Sequence, residues 1–411
     1  MNSSPTILYI VTNFAADFPE VELPYLQKTG WKIILLPRLP YDGEEGALTE
    51  NVSVSKCLFS SKSEKLPFLF SPGCLSLCRK EFASYHGKQS SPYLPVLLKS
   101  SAIVLHAKNR LHQLIIQNGL ENAPILVYTY WFEESSIAAG MLQKDFPKLR
   151  VISRAHGGDL YPHQSPRGYL PFRFIRYNFV DHVFPCSQNG LDFLLQDGLA
   201  SEKATVARLG VPKLPKLAGI SAEGCLRLYS CSNTAPVKRL SLLIESLAAL
   251  ARVKPTLQVS WEHLGGGDGF ADFSAHAKAK LDCIENLQWK LYGQISPEKV
   301  REFIQIKELD GLVNVSHSEG VPVSMMEALS AGIPILGTDV GGVNEIVTPE
   351  TGILLPANFT PQEFCLGAER LMEWKNGEKR KKNAEFASSV YDIEKNYSLF
   401  AQKYMRQIFL Q

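Results

Sequence analysis

The 411-residue chain is 45% hydrophobic and 20% charged, with a net charge of +2. A single core rarely serves that length, so two domains are expected, and the composition is that of an ordinary globular protein. Near-neutral charge excludes a strong pull on nucleic acid by the molecule as a whole, and no apolar run approaches the roughly 20 residues of a membrane span.

Ile7–Thr12 and Lys32–Pro37 are apolar, β-branched runs joined by a helical stretch, Val21–Thr29, which makes a βαβ start to a Rossmann-like domain. No positive charge precedes Ile7, so this run reads as a first strand and not as a signal sequence. Eight cysteines are scattered along the chain, and the Cys74–Cys78 spacing finds no second Cys/His pair. Zinc sites need about four ligands, so reduced, mostly buried thiols in a cytoplasmic protein are the better account.

Residues 54–110 stand out by charge: nine basic side chains, among them Lys56, Lys65, Arg79, Lys80 and Lys99, face two acidic ones, Glu64 and Glu81. Phe68, Phe70, Phe82, Tyr85 and Tyr93 are interleaved with them. Such a region can lie on an anionic membrane surface or be the solvated face of an ordinary core, and the residues alone weigh these equally.

Further strands are expected at Ile125–Tyr130, Val151–Ser153, Val180–Pro185 and Thr205–Leu209, the last closing the first domain. Gly210–Lys216 is a Pro/Gly-marked linker, which puts the boundary at about residue 212. The second domain alternates in the same way: strand Leu226–Cys231, helix Leu240–Val253, strand Gln258–Leu264 with the glycine turn 265–269, and strand Leu287–Tyr292 with Gly293. Near its end come strand Gly352–Leu355 and helix Pro361–Lys375, and the basic stretch 375–382 reads as a solvated loop.

Between them lies the most informative segment. Strand Gly311–Val315 runs into a turn carrying Glu319 and Gly320. A helix follows from Val321–Pro322 to Ala331, with Gly332 at the left-handed cap. A strand at Ile333–Gly337 leads to a second turn with Asp339, Gly341 and Gly342. Both turns open on the carboxyl edge of a sheet, where open α/β sheets bind ligands. Seven residues separate Glu319 from Glu327, and two helical turns set them roughly 10 Å apart. Two carboxylates so spaced can hold different parts of one extended ligand. The amides around Gly320, Val321, Val323 and Ser324 and the positive end of the helix suit a phosphate between them. Sugar hydroxyls, phosphate and ribose hydroxyls in a row describe a nucleotide sugar.

The run from Ser318 through Glu319, Gly320, Val321, Pro322, Val323 and Ser324 to Glu327 and Ala328, followed by Asp339–Ile346, closely resembles the retaining GT-B glycosyltransferases of family GT4. Arg154–Asp159 is similar to the His-Gly-x-Asp segment of members that build bacterial surface polysaccharides. The resemblance covers essentially the whole chain and is thinnest over 40–120.

It implies an α/β GT-B fold: two Rossmann-like domains, 1–212 for the acceptor and 213–392 for the nucleotide sugar, facing across a cleft. A final helix, about 393–411, is expected to cross back to the first domain. Glu319, His156 and Lys238 are the expected catalytic groups. Glu319 would hold donor sugar hydroxyls, Glu327 the ribose, and His156 a sugar hydroxyl or the charge developing at the anomeric carbon. Asp159 would orient His156 or cap the following turn. Asn233 stands where the family carries a diphosphate-binding Arg, and Lys238 matches the Lys, so Arg239 is the candidate replacement cation. Gly266 and Gly293 would let the nucleotide approach the backbone. The first turn, with Asn13 and Phe14, lacks the family's paired glycines and is assigned with Asp159 to the acceptor side.

No cofactor or metal is expected, in keeping with the absence of any Asp-x-Asp. The partners are an NDP-sugar and a saccharide or lipid-linked acceptor, with no nucleic acid, at a cytoplasmic and peripheral-membrane location. The alternatives are a non-catalytic nucleotide-sugar-binding component of a polysaccharide assembly complex and a GT-B phosphorylase. A dinucleotide oxidoreductase would need a first-turn Gly fingerprint that the chain lacks.

Overall fold

A computed structural model describes residues 5–11, 18–38, 50–59, 63–85 and 91–410. The chain forms two compact units: one runs to Ala207 and takes up the chain again from Tyr397, and the other spans Arg208–Asn396. Each is built on a parallel six-stranded sheet.

In the first unit the strands are β1 (Thr6–Val11), β2 (Lys32–Pro37), β3 (Val52–Val54), β4 (Ile125–Thr129), β5 (Leu149–Ala155) and β6 (His182–Pro185), in the order β3-β2-β1-β4-β5-β6. In the second they are β7 (Cys225–Cys231), β8 (Gln258–Leu264), β9 (Leu287–Leu291), β10 (Gly311–Asn314), β11 (Ile335–Thr338) and β12 (Gly352–Leu355), in the order β12-β11-β10-β7-β8-β9. The central strands are buried along their length, as parallel strands covered on both faces must be. Both orders reverse direction beside the unit's first strand, at β1/β4 and at β7/β10. In doubly wound sheets that reversal opens a crevice at the carboxyl ends of the strands, which is where ligands bind.

Three expectations are corrected. Thr205–Leu209 is not a strand; Ala204 makes an isolated bridge to Val183, and the amides of Thr205 and Ala207 donate to Val183 and Pro185. The unit boundary lies between Ala207 and Arg208 rather than near 212, because Val211 is hydrogen-bonded to Tyr391 and Ile393 inside the second unit. The basic stretch 375–382 is no loop. Asn376 caps a helix, Gly377–Val390, whose Arg380 is buried, while Lys375 donates to the Ser221 hydroxyl and to the carbonyls of Ala222 and Cys225.

The terminal segment runs as helix Ile393–Leu399, a π turn Phe400–Tyr404 and helix Met405–Leu410. Phe400 lies 4.1 Å from the Arg154 guanidinium and packs on Phe184 and Tyr128, while Arg406 donates to the Thr29 carbonyl. Arg154 is fully buried with Glu22, which also accepts from Tyr9 and Tyr128. This paired charge joins helix Phe18–Gln27, β1, β4 and β5 beneath the terminal segment.

Candidate functional site

The switch point of the second unit is built from the turns after β7 and β10. A 3-10 turn, Pro236–Lys238, ends in Arg239, whose left-handed backbone (φ 49°) redirects the chain into helix Leu240–Val253. The Arg239 guanidinium, the expected replacement cation, is held by backbone carbonyls. All three of its nitrogens donate to carbonyls, those of Val315 (2.6 Å), Ala357 (2.7 Å) and Ser316 (3.1 Å). It staples the β7 turn to the β10 turn.

Lys238, one residue earlier, is free of that duty. Its Nζ lies 2.7 Å from Glu319 Oε1, which also accepts from Asn314 Nδ2 at 3.3 Å. Glu319 is only 8% exposed. Its turn is held from below by the glycine pair after β11. Gly341 has φ 53°, and a Cβ there would stand 1.9 Å from the Glu319 carbonyl oxygen, while the Gly342 amide donates to Gly320. Only hydrogen fits at 341.

Helix Val323–Ser330 begins at Pro322, and no side chain caps its first turn. The start formed by Gly320, Val321, Pro322, Val323 and Ser324 therefore keeps the positive end of the helix that suits an anion. Glu327 lies in the second turn, 7% exposed, with Arg301 Nη1 at 3.3 Å from its Oε1. Burial, together with the Glu327 charge, pushes the Cys231 thiol at the end of β7 up to about 12, against a smaller pull from Lys238. Cys231 thus lies within electrostatic reach of Glu327 and of Lys238, the partner of Glu319.

The turns after β8 and β9 close the same edge. The Gly265 amide donates to Gly293, the Thr234 amide to Gly266, and a Cβ on Gly265 would meet the Ser232 carbonyl at 1.8 Å. A Cβ on Gly266 would stand 2.9 Å from the Gln294 nitrogen, and Gly293 has φ 67°. Asn233 is exposed and turns its side chain onto its own loop, accepting from the Ala235 amide at 3.2 Å.

In the first unit, His156 follows β5. It is 9% exposed, its ring lies 4.8 Å from Tyr130 and 4.5 Å from Trp131, and neither ring nitrogen has a partner among the described residues. A buried imidazole with no hydrogen bond keeps its bonding capacity unspent. Asp159 is engaged chiefly by backbone. Its oxygens accept from the amides of His156 (2.6 Å) and Phe132 (2.8 Å), and His156 Nδ1 is 3.8 Å away. It braces the turns after β4 and β5. Asn13 and Phe14 lie outside the described residues.

Sequence reasoning missed Arg301, Asn314 and Cys231. No local spacing links Arg301 to Glu327, and only the shared carboxyl edge of β7 and β10 signals the other two. Among the described residues, no group of three or more His, Cys, Asp or Glu is placed to hold a metal ion.

Residues 222–389 match the glycosyl transferases group 1 family. Among curated proteins, the chain is 22% identical over 179 residues to the amylovoran biosynthesis glycosyltransferase AmsK of Erwinia amylovora, covering 40% of this chain and 41% of that protein. It is 23% identical over 245 residues to TuaC of Bacillus subtilis, a putative teichuronic acid biosynthesis glycosyltransferase, covering 56% and 57%. The chain thus spans about half the length of these curated relatives. Among solved structures, the lipopolysaccharide outer core galactosyltransferase WaaB superposes with a TM-score of 0.68 at 16% identity, over 98% of this chain and 99% of that one. HepE of Anabaena, solved with UDP and glucose, gives 0.66 at 16% identity over the same shares. The chain has the GT-B fold of these solved structures, and its residues 222–389 match the glycosyl transferases group 1 family.

Proposed function

We propose that the protein is a retaining, metal-independent glycosyltransferase that moves a hexose from an NDP-sugar to a glycan or lipid-linked saccharide in polysaccharide biosynthesis. The observation that carries this reading is the Lys238–Glu319 pair at the β7/β10 switch point, beside an uncapped helix start with Glu327 inside. Lys238 and the helix start hold the diphosphate, Glu319 the sugar hydroxyls and Glu327 the ribose. His156 binds a sugar hydroxyl of the reacting complex.

Because Glu319 is buried and ion-paired, its role is to hold hydroxyls rather than to attack carbon. The bond from the anomeric carbon to the diphosphate oxygen breaks, and that oxygen takes the acceptor's proton. The acceptor oxygen then bonds on the same face, which gives retention. Charge on the departing diphosphate is matched by a preorganised cation and helix dipole. Incubating the pure protein with UDP-, GDP- and ADP-sugars and an acceptor glycan tests this: release of nucleoside diphosphate with an α-to-α or β-to-β product supports it, and inversion contradicts it.

The first unit is the acceptor side and lies against an anionic membrane surface through residues 54–110. Helix Pro72–Ser84 turns Cys74, Leu77, Cys78 and Glu81 inward and exposes Leu75, Arg79, Lys80 and Phe82. Phe70 beside it is 68% exposed at φ 63°. Co-sedimentation with vesicles containing anionic lipid at low salt supports this contact, and absence of binding removes it. Asn233 without a charge and Arg239 held by carbonyls favour one second reading, a nucleotide-sugar-binding component that holds donor without transferring it. It predicts donor binding and no release of diphosphate.

A further inference from the structure

We infer that Arg301 is the positioning residue for Glu327 and sets how strongly the site reads the ribose of its nucleotide; this rests on the donor-site reading of the previous section. Arg301 stands on helix Pro297–Ile306, between β9 and β10, beside Val300, Phe303 and Ile304, which the helix buries. Its guanidinium forms two ion pairs. One is with Glu298, 3.2 Å away, whose side chain is 74% exposed. Water screens that pair to little effect. The other is with Glu327, 3.3 Å away and 9% exposed at the side chain.

A carboxylate that deep needs a cation or donors, or it is costly to keep charged. Arg301 Nη1, 3.3 Å from Glu327 Oε1, is such a cation, and its fork fixes the plane of the carboxylate. It engages Oε1, so that hydroxyls meet an oriented acceptor. Nothing in the sequence spacing joins the two, since one stands on the crossover before β10 and the other on the helix after it.

The test is calorimetric titration of the full chain with UDP, GDP and ADP, followed by the 2′,3′-dideoxy form of the tightest binder. Arg301→Met is expected to weaken the ribose form about tenfold, the loss of one hydrogen bond to a charged group, and to leave the dideoxy form unchanged. Arg301→Lys, which keeps the charge but not the fork, loses less and in the ribose form alone; it serves equally if the Met variant does not fold. Glu327→Gln abolishes the ribose preference, and adding Arg301→Met to it changes nothing further. If Arg301→Met weakens both forms alike or neither, while Glu327→Gln removes the preference, Arg301 is only structural and the inference falls alone. If Glu327→Gln keeps the ribose preference, or no nucleotide binds the wild type, the donor-site reading falls and takes this inference with it.

Discussion

Lys238 Nζ lies 2.7 Å from Glu319 Oε1, and both side chains are at least four-fifths withdrawn from solvent. The pair joins the first and fourth strands of a doubly wound sheet at the point where strand order reverses. Removing one member leaves the other charged and shielded without its counter-charge. Lys238→Met is therefore expected to cost about 1–3 kcal/mol of stability and at least a hundredfold in kcat/KM, since the cation on the diphosphate is also lost. Thermal unfolding and steady-state kinetics check the two effects separately.

Gly341→Ala tests the seat beneath the Glu319 turn. Its φ of 53° and a Cβ 1.9 Å from the Glu319 oxygen leave the turn no room. A loss of several kcal/mol is expected, together with loss of donor binding. Gly377→Ala is the control, because nothing lies within 4 Å of a Cβ there; its melting temperature should stay at wild type.

The Arg154–Glu22 pair predicts a defect of fold rather than of donor binding. Both groups are fully buried, so Glu22→Gln strands a guanidinium under Phe400 and is expected to cost about 3–5 kcal/mol. Hydrogen exchange should show the strands β4 and β5 and the terminal segment loosening together, while nucleotide affinity in the second unit holds.

Stability should fall at mildly acid pH. Burial lowers His182 and His263 to about 4, against about 6.5 in an unfolded chain. Below 6.5 the unfolded chain binds protons that the folded one refuses. Stability is therefore full above 6.5, declines as pH falls toward 4, and levels off below it, with up to about 3 kcal/mol from each histidine. Urea midpoints from pH 7 to 4 check this, and His182→Gln should flatten the slope by about half.

What could be read in advance follows the physics of each segment. Gln258–Leu264, Gly352–Leu355 and Leu240–Val253 were expected with the boundaries they have, because the first alternates buried Val259 and Trp261 with more exposed polar residues, the second is a continuous apolar run and the helix carries a strong apolar face. Helix Gly377–Val390 was hidden, since its first two turns are mostly charged and two of the residues it buries, Arg380 and Asn383, are polar. Local pattern cannot show that a charged residue is internal. The same limit explains the site. Glu319, Glu327 and the glycines stand in one sequence motif, and Lys238 in another. The carbonyl partners of Arg239, those of Val315, Ser316 and Ala357, come from distant loops that no local spacing shows. Asp159 was left open because its second amide, that of Phe132, belongs to the neighbouring strand's turn.

Glu319 is proposed to hold the donor sugar through the transition state. The decisive measurement is nucleoside diphosphate release by Glu319→Ala, compared with wild type on the same NDP-sugar and acceptor. Turnover is expected to fall at least a hundredfold while nucleotide affinity changes little. Wild-type turnover from Glu319→Ala would contradict it.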